Sequence, residues 1–180
     1  MVYWAIATAA LLLSFERLTY YWISNNPQSW LRLCEQPLLA RLRRQPTELV
    51  QWLFYLFKLI QFAVFYGWCV IFSGEWMPLP TAPTLVLALG VIILVLGMVL
   101  NFGVFYRLGS TGVFYGKQLG HDELPWVRGF PFSVMRHPQY YGTLMSIWAF
   151  FLIMRFPEWD WILLPLLETA YYTIGSRYEP

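Results

Sequence analysis

A seven-residue stretch beside an apolar run combines side chains suited to binding and proton transfer: Arg136-His137-Pro138-Gln139-Tyr140-Tyr141-Gly142. Pro138 disfavours helical geometry at the residue before it and suits the first position of a helix. His137 is therefore expected at a helix start, beside the cation of Arg136. A lone histidine there could be a plain interfacial residue, but among these neighbours it predicts a ligand-binding site in which it could also serve as a base.

Clustered glycines lie upstream, in Leu108-Gly109-Ser110-Thr111-Gly112-Val113-Phe114-Tyr115-Gly116. Because glycine lets backbone N–H groups approach a ligand closely, Gly109 and Gly112 are candidate contacts in a predicted polar loop. The cluster does not match the glycine fingerprints of nucleotide-binding proteins, which need a strand before and a helix after them. His121-Asp122-Glu123 adds titratable groups to the same loop, and a solvated turn is the simpler interpretation of these three.

The composition is that of a membrane protein. Of the 180 residues, 58% are hydrophobic and 12% are charged, whereas soluble domains carry about 25% charged residues. The long uncharged stretches suit helices that cross a bilayer, each of which needs roughly 20 apolar residues. A net charge of +2 gives no reason to expect nucleic acid as a partner. Cys34 and Cys69 make neither a disulfide framework nor a metal-ligand set, and we expect no metal.

The hydrophobic pattern predicts an all-α fold, a polytopic membrane helical bundle with about four to five hydrophobic helices and a cytosolic motif loop. One domain is expected over residues 1–180. The first segment has no basic region ahead of it and no evident cleavage site, so we interpret it as a retained helix. The predicted hydrophobic segments are 1–23, 48–72, 85–106, 141–154 and 161–174.

Charged residues also fall within these segments. Glu16 and Arg17, near one end of the first, are expected to lie at the lipid headgroups. Lys58 in the second is either a functional residue or a lysine that snorkels or packs against a carboxylate such as Glu168. Between them, residues 24–47 predict a short basic amphipathic helix on the membrane surface.

The basic residues favour one side of the predicted bundle. If five segments alternate, the 24–47 connector, the motif loop and the C-terminus share a side, and Arg155 alone lies on the other. Cytosolic loops are richer in lysine and arginine, so the motif is expected to face the cytosol, where a water-soluble cosubstrate reaches it. The basic residues on the shared side are Arg32, Arg41, Arg43, Arg44, Arg107, Lys117, Arg128, Arg136 and Arg177.

The order of these motifs resembles the phospholipid N-methyltransferase family. The resemblance rests on the glycine cluster after a span, Gly129-Phe130-Pro131-Phe132, then Arg136-His137-Pro138 with Tyr140, then Tyr178-Glu179-Pro180. The wider group, which includes the isoprenylcysteine carboxyl methyltransferases, shares the Arg-His-Pro motif, and Gly-Phe-Pro-Phe points to the phospholipid branch. Further short matches to plant and algal members fall at 26–30, 58–62, 100–102, 124–127 and 138–140.

The resemblance implies S-adenosylmethionine as methyl donor, a membrane phospholipid amine as acceptor, and the endoplasmic reticulum as location. Plant-type members imply the second and third methylations, from phosphatidyl-N-methylethanolamine to phosphatidylcholine. Val95 stands where the family has a glycine, and Glu179 stands alone where relatives have two acids. The expected catalytic residues are His137 and Glu179. The expected donor-binding residues are Gly97, Gly109, Gly112, Arg136, His137, Pro138, Tyr140, Gly142, Tyr178 and Glu179.

Methyl transfer to an amine sets two chemical requirements. The nitrogen must be neutral, and deprotonating an amine of pKa near ~10 at neutral pH costs about 4 kcal/mol. His137 or Glu179 could supply the base, with His121-Asp122-Glu123 as weaker candidates. The quaternary ammonium product suits aromatic faces. The candidate rings are Phe130, Phe132, Tyr140 and Tyr141.

Other functions stay open at this point. A methyltransferase acting on a prenylated cysteine carboxylate would need no amine deprotonation, but gives no reason for the Gly-Phe-Pro-Phe motif. A related membrane reductase would need a basic pocket for a nicotinamide cofactor, and only Arg128 and Arg136 offer one. A transporter or adaptor is a third possibility, although no internal repeat is evident. The pattern does not predict an oligomeric state.

Overall fold

The computed structural model describes residues 2–123 and 127–178, and every regular element in those ranges is helical. A 3₁₀ turn, Trp159–Ile162, leads into the last helix. The α-helices are α1 (Val2–Asn25), α2 (Pro27–Cys34), α3 (Pro37–Ala40), α4 (Pro46–Ser73), α5 (Thr84–Val113), α6 (Pro138–Met154) and α7 (Leu163–Tyr178).

Large apolar side chains point outward along the long helices, as expected for helices surrounded by lipid. Leu59 and Phe62 of α4 are 67% and 66% exposed, and Leu85 of α5 is 83% exposed. Two helices, α4 and α5, are long and apolar enough to cross a membrane. A soluble monomer rarely exposes apolar surface on this scale. The predicted fold class is confirmed: the chain is an all-α membrane protein.

Local sequence sets the ends of α4, which was predicted over 48–72. Pro46 occupies its first turn, where a missing N–H costs nothing, and the Gln45 N–H donates to Glu48 Oε2 at 3.2 Å. Gly74 ends the helix with a φ of +70°, which glycine adopts without strain. Within the 24–47 connector, α2 is a short helix whose Trp30 is buried and donates from Nε1 to the Pro46 carbonyl. Arg41, Arg43 and Arg44 lie outside it, and its location on the membrane surface stays a prediction.

The predicted end of α5 and the glycine loop after it are wrong. The helix continues from 106 to Val113, interrupted by non-helical backbone at Gly109, where φ is +64° and ψ is 175°. Gly112 lies in the resumed helical turn, and a Cβ there would come 3.0 Å from Leu108 Cβ. Helical backbone therefore extends through the polar residues Arg107, Ser110 and Thr111, beyond the end of the apolar run.

Glycines bring α5 and α6 into close backbone contact. A Cβ at Gly97 would lie 2.6 Å from the Gly142 carbonyl oxygen, and a Cβ at Gly142 would lie 2.8 Å from the Gly97 carbonyl oxygen. Small residues facing one another allow membrane helices to approach this closely. By contrast, α4 packs mainly against α1. The α5–α6 pair is thus the tightest contact in the bundle, α7 packs against α1 and α6, and few contacts join α4 to α5.

We predict that Gly97→Ala destabilises the protein by about 1–3 kcal/mol, because the added methyl group must separate two helix backbones. The measurement is unfolding in detergent without ligands. Gly67→Ala in α4 is the matched control, since a Cβ there meets nothing within 4 Å and alanine favours helix by about 1 kcal/mol over glycine. An equal loss of stability in both variants would contradict close packing at Gly97.

Candidate functional site

The Gly-Phe-Pro-Phe segment holds the motif against α5. Arg107 Nε donates to the Phe130 carbonyl at 3.0 Å, and a Cβ at Gly129 would collide with the Arg107 guanidinium. Pro131 is buried, and it and the Phe130 ring lie against Gly103. This segment therefore anchors the loop that leads into α6, and its Phe130 ring packs against a helix.

His137 and Pro138 form the start of α6 as the sequence predicts. His137 is the N-cap with non-helical backbone, and Pro138 is the first helical residue. The His137 carbonyl accepts from the Tyr140 N–H at 3.1 Å. The half-buried imidazole meets the Tyr140 ring edge-on, with 6.0 Å between ring centroids. Arg136 is exposed.

Tyr140 joins the motif to the interior of the bundle. Its ring contacts the Tyr172 ring of α7 at 5.6 Å between centroids. Tyr172 also contacts a cation, since the Arg17 guanidinium carbon lies 3.7 Å from its ring centroid. A Cβ at Gly175 would touch the Tyr140 ring at 3.4 Å. The last turns of α7 therefore lie beside the first turn of α6.

A network of polar side chains lies inside the bundle just beyond these rings. Lys58 Nζ is 3.2 Å from Glu16 Oε1 and donates to Gln61 Oε1 at 2.9 Å and to the Tyr172 hydroxyl at 3.2 Å. Gln61 Nε2 in turn donates to Glu168 Oε1. Glu16 and Glu168 are 4% and 1% exposed. The network links α1, α4 and α7.

These positions bear on two expectations from the sequence. Glu16 does not extend to the surface of the bundle, because it is buried against Lys58; the position of Glu16 and Arg17 at the level of the headgroups stays a prediction. The interpretation of Lys58 as packed against a carboxylate is confirmed, with Glu16 in the place expected for Glu168. The sequence contained a sign of this network that was missed: Lys58 and Gln61 are three residues apart on α4, so their side chains share one face of the helix.

A cavity of about 780 Å³ extends from this network to the gap between α4 and α5. Tyr140 and Gln139 of the motif line it, together with Asn101 of α5. Phe62 and Met98 line its outer part and are themselves exposed, so the cavity is open toward the lipid side of the bundle. Its polar inner end contains Glu16, Arg17, Tyr20, Lys58, Gln61, Tyr115, Tyr140 and Tyr172.

The structure brings only some of the predicted site residues to this cavity. Tyr140 lines it, while Gly97 and Gly142 face each other across the α5–α6 contact. Gly109 is open, with nothing within 4 Å of a Cβ built there. Tyr178 ends α7, and Glu179 lies outside the described residues. Of the four candidate aromatic rings, Tyr140 lines the cavity, and Phe130, Phe132 and Tyr141 do not.

The acidic turn at 121–123 lies apart from the cavity. His121 Nδ1 is 3.1 Å from Glu123 Oε1. The backbone N–H of Glu123, followed by the His121 side chain, holds the pKa of that exposed carboxyl below its ordinary value. Asp122 is exposed. These contacts support the interpretation of a solvated turn.

The sequence comparisons agree with the motif. The sequence model described as phospholipid methyltransferase matches residues 85–180. A phosphatidyl-N-methylethanolamine N-methyltransferase of Arabidopsis thaliana is 33% identical over 144 residues, covering 80% of this chain and 76% of that protein. The chain belongs to the phospholipid methyltransferase family. No solved structure matches it.

Two other members of the phospholipid methyltransferase family match over shorter regions. A phosphatidylethanolamine N-methyltransferase of Rattus norvegicus is 33% identical over 91 residues, 51% of this chain and 45% of that protein. A phosphatidyl-N-methylethanolamine N-methyltransferase of Saccharomyces cerevisiae is 41% identical over 58 residues, 32% and 28% of the two chains. The chain thus spans about three quarters of the plant relative but under half of these two.

Membership of a methyltransferase family implies S-adenosylmethionine as cosubstrate, and aromatic rings beside the motif suit the sulfonium of that donor, although Arg17 and Lys58 in the same part of the cavity oppose a cation. Aromatic faces attract sulfonium and ammonium cations, and the rings of Tyr20, Tyr115, Tyr140 and Tyr172 line this end. Gly97 and Gly142 do not fit as direct contacts, because their backbones leave no space for a ligand between them. Within the described residues, no group of His, Cys, Asp and Glu is arranged to hold a metal ion.

We predict that Lys58→Met destabilises the protein by about 3–5 kcal/mol, because it leaves the buried Glu16 carboxylate with only the longer contact to Arg17, at 3.4 Å. Adding Glu16→Gln should recover part of this loss. The measurement is a double-mutant cycle from unfolding in detergent. The Arg44–Glu48 pair is the control, since both side chains are about half exposed and such pairs contribute about 1 kcal/mol or less. Equal coupling in the two pairs would argue against a stabilising buried network.

Proposed function

We propose that this chain transfers methyl groups from S-adenosylmethionine to the amine headgroup of phosphatidyl-N-methylethanolamine and its dimethyl form, giving phosphatidylcholine. One observation carries the proposal: Tyr140, within the Arg-His-Pro motif, lines a cavity that is open toward the lipid. A soluble donor can approach from the motif, and a lipid can approach sideways through the gap between α4 and α5. The family membership of the chain supports the same chemistry.

The choice of methylation steps rests on the relatives. The plant and yeast relatives are named for the monomethylated lipid, and the rat relative is named for phosphatidylethanolamine. The plant relative matches over the largest share of this chain among these three. We therefore assign the second and third methylations to this chain.

His137 is the base in this proposal. It lies at the start of α6 against the ring of Tyr140, which faces the cavity. A neutral imidazole there would take the proton of the ammonium headgroup and expose the nitrogen lone pair. Glu179 is the second candidate, since α7 passes Tyr140 at Gly175, one turn before Tyr178.

The motif residues are proposed to hold and orient the donor, which supplies the electrophilic methyl group. Arg136, His137, Pro138 and Tyr140 would contact it directly, and Gly109 offers open backbone close to the end of α5. Tyr178 and Glu179 would complete the site from α7. Gly112, Gly97 and Gly142 would act indirectly, by packing the helices that carry the motif. Alignment of donor and nitrogen supplies much of the rate in such a displacement.

The site is proposed to face the cytosol, in the endoplasmic reticulum. The basic residues of the 24–47 connector and the motif loop favour the cytosolic side. A donor dissolved in the cytosol would then reach the motif directly. The endoplasmic reticulum is proposed as the membrane that contains this chain, on its resemblance to plant members of the family.

We predict that the purified protein in lipid–detergent micelles transfers labelled methyl groups to the monomethyl and dimethyl lipids but not to phosphatidylethanolamine. The three lipids are offered separately, and the products are resolved by chromatography. Transfer to phosphatidylethanolamine as well would make this a three-step enzyme. Transfer to none of the three would refute the assignment, and a prenylated cysteine would be the next acceptor.

We further predict that His137→Ala lowers kcat by about 10²–10⁴-fold, the range attributed to a positioned base. His121→Ala is the matched control and should change kcat by less than about twofold, because His121 lies in the solvated turn. Thermal unfolding of both variants checks that the fold is kept. Unchanged turnover of His137→Ala would exclude this residue both as base and as an essential donor contact.

A further inference from the structure

The inner end of the cavity contains an arginine, Arg17, with one unsatisfied hydrogen-bond donor. Arg17 lines the 780 Å³ cavity and also a second one of about 400 Å³ between α1 and α7. Its side chain is 14% exposed. Within the described part of the chain, its buried Nε makes no hydrogen bond. A buried guanidinium with an unsatisfied donor is costly unless a ligand completes it.

The neighbouring groups leave one donor of Arg17 available. Glu16 is the nearest carboxylate, and it is shared by two cations, with Lys58 at 3.2 Å and Arg17 at 3.4 Å. Lys58 is fully engaged, because an ammonium has three donors and Lys58 contacts Glu16, Gln61 and Tyr172. Arg17 contacts Glu16 through one terminal nitrogen, and its Nε has no acceptor among the described residues.

We propose that Arg17 binds the phosphodiester of the lipid substrate, so that the cavity holds the headgroup and the acyl chains extend through the gap between α4 and α5. The guanidinium carbon lies 3.7 Å from the Tyr172 ring centroid, and the side chain borders both cavities. Arginine forms charge-assisted, often bidentate bonds to phosphate oxygens. This site rests on the proposed function, and it adds the residue that selects a phosphate-bearing acceptor.

The depth of Arg17 suits a lipid headgroup drawn slightly into the bundle. Asn25 ends α1 eight residues after Arg17, so Arg17 lies about 12 Å below that end at 1.5 Å per residue. The remaining walls of the cavity are mostly apolar, as acyl chains require; Phe62, Leu94 and Met98 are examples. A water-soluble anion would not need such a lining, so we commit to a lipid as the occupant.

A lipid phosphate bound at Arg17 would also determine where the headgroup amine lies. Tyr172 contacts Arg17 on one side and Tyr140 on the other, and Tyr140 contacts His137. The two-carbon link of an ethanolamine headgroup would carry the nitrogen from Arg17 toward the Tyr140 ring. Arg17 is thus a positioning residue, which fixes the distance between the bound headgroup and the motif.

The test is a binding measurement on the full-length protein in detergent without methyl donor. Thermal shift titrations compare dioctanoyl phosphatidylcholine, dioctanoylglycerol and inorganic phosphate. The phospholipid and the glyceride share their acyl chains and differ in the phosphodiester headgroup. We expect the phospholipid to bind about tenfold or more tightly than the glyceride, from charge-assisted hydrogen bonds, and inorganic phosphate to give no shift.

Variants assign the preference to Arg17. Arg17→Gln should reduce the preference for phospholipid to within about twofold, and Arg17→Lys should keep part of it because the charge remains. Arg44→Gln, at an exposed surface pair, should keep the full preference. In turnover assays, Arg17→Lys should raise the lipid KM while leaving the donor KM unchanged, which a merely destabilised protein would not do.

Several outcomes would overturn the proposal. Equal affinity of the wild-type protein for phospholipid and glyceride would do so, and this comparison holds even if Arg17→Gln fails to fold. A thermal shift from inorganic phosphate equal to that from the lipid would overturn the lipid as occupant, and an undiminished preference in Arg17→Gln would overturn the assignment to that residue. Specific phospholipid binding without any methyl transfer would refute the proposed reaction but keep the site.

Discussion

The ion pair between Glu16 and Lys58 is the constraint on which the bundle depends. A charged group inside a bilayer is costly unless it is paired, so α1 and α4 can pack only in the register that brings these two side chains together. Gln61 and Tyr172 extend the same network to α7. That register places Tyr172 against Tyr140, and so fixes the Arg-His-Pro motif relative to three helices at once.

A second constraint is the close contact between α5 and α6. Gly97 and Gly142 hold α5 against α6 with backbone contact, and Arg107 ties the motif segment to the end of α5. α4 packs mainly against α1 and reaches α6 through Phe65, while few contacts join it to α5. The cavity lies where α4 and α5 make few contacts.

The sequence predicted the helices and the start of the motif helix, because apolar run length and the geometry of Pro138 are local properties. It did not predict the partners of Glu16 and Lys58, because pairing between helices depends on their register, which no local pattern fixes. Residues 108–116 were predicted to form a loop, because glycine occurs both in turns and where helices make close contact. Phe130 was read as part of an aromatic cage, but its ring packs on Gly103.

On the proposed function, burial itself would perform part of the chemistry. Moving an ammonium group from water into a mostly apolar cavity disfavours its charged form, which reduces the cost of deprotonation that a base must cover. Glu16 would oppose this effect if its charge were free, but Lys58 neutralises it. The buried network would then have two consequences, since it holds α1, α4 and α7 in register and keeps the Glu16 carboxylate paired, so that Glu16 does not hold a proton on the substrate amine.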